Sequence, residues 1–470
     1  MKHILSLLLA AVSSSAATPA LEFPAAYRDV PPASAILWKV AEPADADARG
    51  EWWKLFADPA LDALIAQALA SNQDLRAAAA RVEQARAAAG FAGSSYWPQI
   101  AANGFIVRER SSSTTENVLP DSLSTTYRAP LTVSWELDLF GRVRQLTASA
   151  RADAEATTAT FESVRLALTS DVAATFFTLR ALDRELELVR GNVGLRQRAR
   201  ELAAARMAHG VSAELDVTRA DTELAATEAE AAALENRRAA VQNALAVLLG
   251  ASAPDFGLTA LVSESPAPPA VPPGLPAALL ERRPDIAAAE RTLVAAQARI
   301  GVAKAAFFPA ISLTGSAGFA SAEVEGLFKA DSRIWSIGPS LYLPIFQGGR
   351  NRANLARSRA AHDEAVAIYR QRVLVAFREV QDALTASRLL AEQSAAQARA
   401  LTSARRAVTL AQTRYEAGFV SFLEVIDAQR TALTTERASA QLAALRLNTS
   451  VALIKALGGG WHRSELVAAK

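Results

Sequence analysis

The chain contains no cysteine in its 470 residues. That absence excludes a disulfide framework, thiolate catalysis and zinc sites built on thiolates. Aromatic residues are scarce at 6%, and beyond the N-terminal segment no stretch reaches the ~18 uninterrupted apolar residues of a membrane-spanning helix. The chain also has no strong excess of one charge, because 50 basic residues nearly balance 48 acidic ones. No global field therefore favours nucleic acid as a partner.

Residue patterns for catalysis are missing as well. The four histidines are too scattered to form a metal site or a catalytic dyad: His3, His209, His362 and His462. The Gly348-Gly349 pair lacks the following Lys-Ser/Thr of a phosphate-binding loop, and we interpret it as a strand-to-helix bend. We therefore expect neither enzymatic activity nor a cofactor.

The N-terminus has the three regions of a secretory signal peptide. A charged start precedes an apolar run and then small residues up to Ala17. Cleavage is expected after Ala17 or Ala20, so residues 1–20 are predicted to be a signal peptide and 21–60 an extended segment. The chain is expected to pass the inner membrane, and entry into a second membrane would require a barrel.

The chain contains an internal repeat. At an offset of 211 residues, Asp74, Gly90 and Pro98 recur as Asp285, Gly301 and Pro309. At an offset of 208 residues, Arg206, Gly210 and Leu249 recur as Arg414, Gly418 and Leu457. Two structural copies are therefore predicted, at 61–250 and 276–458, joined by a proline-rich linker over 251–275 and followed by a tail over 459–470.

Each repeat is predicted to contain a helix, a pair of strands, a very long helix, a tight turn and a shorter helix. The strand pairs are expected at about 99–108 and 130–140, and again at about 310–320 and 335–346. Period-two alternation over ~10 residues is the length of a tilted strand that crosses a membrane. A half-buried strand of a soluble sheet is the alternative, but little else in the chain could cover such a sheet.

Four strands cannot close a barrel, because the smallest membrane barrels have eight. A barrel must therefore be shared between subunits, and the residues alone leave open whether two or three copies share it. The predicted long helices contain no proline over 143–209 and 351–417. At about 1.5 Å per residue, each stretch could form a helix of ~100 Å. Gly210 and Gly418 are expected to end them in tight turns, and Ser421 and Glu424 have the spacing of a capping box.

Five stretches resemble the TolC-like outer-membrane efflux proteins, and most closely the OprM/NodT branch that partners RND pumps. They are WWKLFADPALDALIAQALASNQDL from Trp52, ERRPDIAAAERTLVAAQARIGVAKAAFFPAISLTGSAG from Glu281, LYLPIFQGGRNRANL from Leu341, GFVSFLEVIDAQR from Gly418 and ALGGGW from Ala456. The resemblance extends over about residues 38 to 461. It implies α plus membrane β structure: a homotrimer whose twelve-stranded β-barrel continues into an α-helical coiled-coil tunnel.

The resemblance also implies partners and a gate. The trimer would lie in outer-membrane lipid and dock to a periplasmic adaptor, or membrane fusion protein, and an inner-membrane RND-type pump. Glu424, Asp427 and Asp216 match carboxylates of the closed periplasmic gate. Positions of tip packing or adaptor contact are matched by Arg206, Gly210, Arg414, Tyr415 and Gly418.

Two departures from the family pattern matter. Some members carry arginine where this chain has Val420, which puts a gate-locking ion pair on that arginine in doubt. Many OprM-branch members carry a lipid-anchoring cysteine, which is absent here, so the barrel alone is expected to hold the chain in the membrane.

Several site roles and functions stay open at this stage. Glu424 and Asp427 are equally well explained as acidic residues favoured in the first turns of a helix. Glu136 and Asp138 are expected to face the barrel lumen, with a position at the strand's periplasmic rim as the alternative. The predicted function is a passive exit duct for small molecules. The alternatives are a type I protein-secretion duct and, less favoured, a structural coiled-coil surface protein.

Overall fold

The computed structural model of the chain describes residues 50–112, 123–260, 266–269 and 283–459. The predicted signal peptide, the predicted extended segment up to residue 49, much of the linker and the tail after Gly459 lie outside the described residues. The described chain divides into two compact units. The strand unit comprises Arg81–Thr158 and Ala288–Gln371, and the helical unit comprises the remaining described residues.

The elements of the two repeats follow the same order. The first repeat contains α1 (Pro59–Ser71), α2 (Gln73–Ser94), β1 (Gln99–Ala102), β2 (Phe105–Arg110), β3 (Leu123–Leu137), α3 (Arg142–Ala208) and α4 (Glu214–Leu248). The second contains α5 (Pro284–Ala305), β4 (Ala310–Ser321), β5 (Arg333–Tyr342), α6 (Arg350–Glu416) and α7 (Phe422–Ala456). None of the helices within the described ranges is both long and apolar enough to cross a lipid bilayer.

The strands form one antiparallel sheet in the order β1-β3-β4-β5, with β2 also paired to β3. The repeats meet between β3 and β4, from the pair Tyr127–Ser321 to the pair Leu137–Ile311. Both outer strands, β1 and β5, leave one edge without a partner in the described sheet. An unpaired edge is a site for pairing with another chain.

Proline explains where the observed strands depart from the predicted ends. The first strand is interrupted because Asn103 donates to the carbonyl of Pro130, at 3.0 Å, but Pro130 has no N–H to return the bond. β5 ends at Tyr342 rather than near 346. Tyr342 pairs with Ala310, so the next residue of β5 would face Pro309, which also has no N–H to donate. β3 runs over Leu123–Leu137 rather than 130–140, so its start lies within a polar stretch that the alternation did not mark.

The sheet has one apolar and one hydroxyl-bearing face. On the apolar face Trp335 and Ile337 of β5 are 78% and 69% exposed. On the other face Ser316 and Ser336 are hydrogen-bonded through their Oγ atoms at 2.9 Å, and Thr132 is the neighbour of Ser316 on β3. A sheet that exposes a continuous apolar face to its surroundings is suited to a lipid environment.

The helical unit has a conventional apolar core. A short 3-10 helix, Trp52–Phe56, packs with α1 against the middle of α3. The rings of Phe56 and Phe177 lie 4.9 Å apart between centroids. Truncating a fully buried aromatic such as Phe177 to alanine typically costs about 3–5 kcal/mol, so this cluster fixes the middle part of α3.

The narrow apolar stripes of the long helices are buried, as coiled-coil seams require. Leu179, Leu182, Leu186 and Val189 of α3 are buried. On α6 the same is true of Val373 and Val380. The paired glycines at 191 and 194 do not interrupt α3, which runs unbroken from Arg142 to Ala208.

Candidate functional site

The two turns at the ends of the long helices, which we call the tip turns, have the same geometry. Gly210 has φ +73° and Gly418 has φ +80°. In the first turn Val211 N–H donates to the carbonyl of Arg206 and Gly210 N–H to that of Met207, both at 2.9 Å. Phe419 and Gly418 repeat the pattern in the second. This is the Schellman motif, whose left-handed position favours glycine.

An aromatic contact joins the two tip turns. The guanidinium of Arg206 lies 5.0 Å from the ring centroid of Tyr415, within cation–π range. Tyr415 in turn lies 5.5 Å from the ring of Phe422. Arg414 contributes its carbonyl, which accepts from Phe419 N–H at 2.9 Å. The structure therefore brings Arg206 and Tyr415 together, although they come from different repeats.

Of the predicted gate carboxylates, Asp216 and Glu424 lie in the first turns of α4 and α7, and Asp427 lies one turn further along α7. Glu424 is exposed and its carboxylate makes no hydrogen bond or ion pair within the described residues. The predicted capping box is wrong: Ser421 occupies the N-cap position, but its side chain makes no cap hydrogen bond. Asp427 lies 3.9 Å from Arg430 and Asp216 lies 4.0 Å from Arg219. Both are loose pairs along one helix, worth little energetically.

A buried charge cluster lies beside Asp427 and was not predicted from the sequence. Glu223 of α4 accepts from Arg196 of α3 at 2.6 Å and from Arg430 Nε of α7 at 3.1 Å. The side chains of Arg196 and Glu223 are only 5% and 11% exposed. Burial lowers the pKa of Arg196, whereas the hydrogen bond to Glu223 raises the pKa of Arg430. Glu223 thus ties α7 to α3 and α4 just beyond the tip.

The same pattern continues one heptad further along the helices. Arg437 of α7 pairs with Glu230 of α4, and Gln441 donates to the buried Glu185 of α3 at 2.8 Å. The acceptors Glu223 and Glu230 are seven residues apart, as are Arg430 and Arg437. This matched heptad spacing is the signal that could have predicted the contact.

A groove of about 600 Å³ lies between α3, α6 and α7 of the helical unit. Leu195, Leu202 and Val408 contribute to its apolar part, and Tyr415 and Phe422 line its tip end. Leu195 and Leu202 are about half exposed, at 45% and 51%. Exposed apolar grooves between helices are suited to binding another helix.

Glu136 and Asp138 lie at the junction between β3 and α3 in the strand unit. Glu136 accepts from Arg142 through both carboxylate oxygens, at 2.7 and 2.5 Å. Asp138 accepts from the backbone N–H groups of Val143 and Arg144, at 3.0 and 2.8 Å. Both carboxylates are therefore held by local partners at the helix start. Their exposure to a barrel lumen stays a prediction.

No group of three or more His, Asp or Glu side chains in the part of the chain that the structure describes could hold a metal ion. A sequence profile described as outer membrane efflux protein matches residues 64–251 and 275–459.

The chain belongs to the outer membrane efflux protein family. Among its relatives is the solvent efflux pump outer membrane protein SrpC of Pseudomonas putida, 39% identical over 424 residues that cover 88% of each chain. The predicted family and the location in the outer membrane are thereby confirmed.

Solved structures agree with this assignment. The outer-membrane channel OprN superposes with a TM-score of 0.83 at 33% identity, covering 95% of this chain and 99% of that one. The open state of the Neisseria gonorrhoeae MtrE outer membrane channel gives a TM-score of 0.76 at 32% identity, covering 91% and 99%. The predicted fold class and the function as the outer-membrane component of an efflux system are confirmed, and none of these three proteins is named as an enzyme.

Proposed function

We propose that three copies of this chain form a passive exit duct. The observation that carries the proposal is the sheet: it has an exposed apolar face, and its outer strands β1 and β5 each have one edge unpaired within the described residues. Open edges are not tolerated in lipid, so the β5 edge of one copy would pair with the β1 edge of the next. Taking β1 and β2 as one interrupted strand, three copies with four strands each would close a twelve-stranded barrel.

The long helices of the same copies would continue the barrel as a tunnel in the periplasm. Small molecules would enter from an inner-membrane RND-type pump through a periplasmic adaptor. The groove lined by Leu195, Leu202 and Tyr415 supports such docking, because an amphipathic helix of the adaptor could place its apolar face there. A type I protein-secretion duct remains the alternative, favoured if an ABC exporter rather than an RND pump is encoded beside this chain.

The gate in this proposal lies at the tip turns. Threefold symmetry would bring three copies of Glu424 and Asp427 around one axis, and a ring of carboxylates attracts cations. Two features of the structure support this role: Glu424 is exposed without a bonded partner among the described residues, and the side chain of Asp427 is 62% exposed. Asp216 occupies the matching first turn of α4.

Single-channel conductance in planar bilayers tests the proposal. We expect the unmodified trimer to give a small cation-selective conductance, and Glu424→Gln with Asp427→Gln to raise it and weaken its selectivity. Glu228→Gln is the matched control, because Glu228 is an exposed carboxylate of α4 outside the tip. Unchanged conductance in the double variant would show that the gate does not depend on these two carboxylates. Absence of any pore in all proteins would refute the duct itself.

A further inference from the structure

The strand unit contains an open cavity of about 720 Å³ where the sheet gives way to the helices. The start of α3, the end of α5 and the start of α6 line it. Its volume falls within the ~300–1,000 Å³ of small-molecule sites. Charged side chains from both repeats line the wall, among them Glu136, Arg142, Arg350 and Arg357.

The first repeat's charges on this wall are already paired. Glu136 holds Arg142 through two hydrogen bonds. Asp138 caps the start of α3 and lies 3.2 Å from Arg144 Nε. Neither carboxylate is therefore left to balance a charge from the second repeat.

The second repeat keeps the arginine at the helix start, adds Arg357 where the first repeat has Ser149, and lacks the acidic residues. Arg350 follows Arg142 by 208 residues, whereas Glu136 and Asp138 correspond at that offset to Pro344 and Phe346. Residues 343–362 contain neither aspartate nor glutamate. Within the described residues Arg350 makes no ion pair, and Arg357 donates to the neutral Asn354 Oδ1 at 3.0 Å.

Arg350, Asn354 and Arg357 lie at positions i, i+4 and i+7 of α6, so they share one face of the helix, and all three line the cavity. These two guanidinium groups on one helix face, neither of them ion-paired within the described residues, form a favourable place for an anion, because charge-assisted hydrogen bonds from arginine to carboxylate, sulfonate or phosphate oxygens are strong.

Three aromatic side chains contribute to the remaining, largely apolar wall. The rings of Phe140 and Phe308 are stacked at 5.0 Å with an interplanar angle of 11°, and both line the cavity with Tyr342. Gln347 also lines it, and its Oε1 atom is buried without a hydrogen-bond partner in the described part of the chain. A bound molecule with a hydroxyl or amine could supply the missing donor.

We propose that this cavity binds amphiphilic organic anions. The anionic group would lie between Arg350 and Arg357, and the apolar body would lie against Phe140 and Phe308. The inference goes beyond the exit duct, since it assigns a solute class to a defined site. It does not depend on conduction, because binding can be measured whether or not the protein forms an open pore.

The test compares two probes that differ by one sulfonate: 8-anilino-1-naphthalenesulfonate and the uncharged N-phenyl-1-naphthylamine. Binding of each is measured by fluorescence titration of the full chain in lipid nanodiscs, with empty nanodiscs subtracted. Arg350→Gln with Arg357→Gln should weaken binding of the sulfonate about tenfold or more and leave the uncharged probe unchanged. The matched control is Arg352→Gln with Arg359→Gln, which removes the same charge at the same spacing from outside the cavity wall.

Equal losses in both double variants would overturn the proposal, because they would show an effect of net charge alone. Unchanged sulfonate binding in the Arg350 and Arg357 variant would overturn it as well. Should that variant fail to assemble, competition in the unmodified protein decides the question. 1-Naphthalenesulfonate should displace the sulfonate probe at a concentration at least tenfold lower than 1-methylnaphthalene, which has the same ring and no polar group, and equal potency of the two would overturn the proposal. A protein that binds the probe but forms no pore would refute the duct and leave this site standing.

Discussion

In the first repeat the side-chain amide of Asn72 donates to the carbonyl of Leu248 at 3.0 Å, and in the second Arg283 donates to the carbonyl of Ala456 at the same distance. The two donors are 211 residues apart and the two acceptors 208, so the positions are equivalent. Each accepting carbonyl lies near the end of a helix that closes in a Schellman turn, at Gly250 and Gly458.

The two repeats thus supply the equivalent helix-end carbonyl with chemically different donors. Asn72 is neutral and also caps α2, accepting from Leu75 N–H at 2.9 Å. Arg283 brings a charge whose side chain is only 8% exposed, and it is held by Asp285 at 2.7 Å and Glu379 at 2.6 Å. A buried charge must be paired, so the second repeat depends on three side chains where the first depends on one.

The largest expected difference follows from removing Arg283. Arg283→Met leaves Asp285 and Glu379 without their partner and the carbonyl of Ala456 without its donor. Breaking a buried pair this way costs up to about 5 kcal/mol; because Glu379 is 40% exposed, we expect about 3 kcal/mol. Denaturant unfolding of the purified protein measures it. A loss of unfolding free energy smaller than that caused by Asn72→Ala, the corresponding change in the first repeat, would contradict the comparison.

A smaller loss is expected from the first repeat. Asn72→Ala removes a helix cap and one hydrogen bond to a backbone carbonyl, but it strands no charge. Such changes cost about 1–2 kcal/mol. Asn72→Ser sharpens the result, because its neutral hydroxyl keeps an N-cap acceptor for Leu75 N–H and removes the amide donor to Leu248. It should therefore fall between Asn72→Ala and the unmodified protein in the same unfolding measurement.

The pH dependence of stability should differ between the repeats. Burial alone would raise the pKa of Asp285, but hydrogen bonds and charge from Arg283 lower it below its ordinary value of 3.8. A lowered folded pKa gives stability that is present above the unfolded pKa and is lost as pH falls through the folded one.

The expected outcome is that Asp285→Asn destabilises the protein at pH 6 and that this deficit shrinks below about pH 4. Asp74→Asn is the control, since Asp74 is the equivalent residue of the first repeat, is exposed and makes no ion pair within the described ranges. Thermal unfolding of both variants at pH 6 and pH 3 measures the effect. A deficit that stays constant with pH would contradict it.

Local patterns predicted most of the fold. Prolines, the period-two alternation around Trp135 and the proline-free stretches indicate strands and long helices because these signals act over a few neighbouring residues. The start of β3 at Leu123 was missed for the same reason: its first residues are polar, and their strand conformation comes from pairing with β2.

The contacts between helices could not be predicted in this way. Asn72 and Leu248 are 176 residues apart, and Glu223 and Arg430 are 207 residues apart. The residue types are visible in the sequence, but which helices become neighbours is decided by tertiary packing. The tip residues Arg206 and Tyr415 were singled out by resemblance, whereas their cation–π contact needed the structure.

Among these variants, Arg430→Gln is expected to have the smallest effect on stability and a clear effect on channel opening. The pair between Arg430 of α7 and Glu223 of α4 has no equivalent with the two repeats exchanged. At an offset of 208 residues, Arg430 corresponds to Thr222 and Glu223 corresponds to Thr431, and neither threonine is charged. Arg430→Gln should cost less than about 1 kcal/mol, since its side chain is 57% exposed and Glu223 keeps Arg196. Under the proposed gate, α7 would then move more easily away from α4.

Single-channel recordings of Arg430→Gln should therefore show higher or more frequent opening at nearly unchanged thermal stability. Arg399→Gln is the matched control: Arg399 is an exposed arginine of α6 whose guanidinium contacts a carbonyl of its own helix. If both variants conduct like the unmodified protein, Glu223 and Arg430 only pack the helices and the gate is held elsewhere. If only Arg430→Gln opens, the pair between Arg430 and Glu223 restrains the tip.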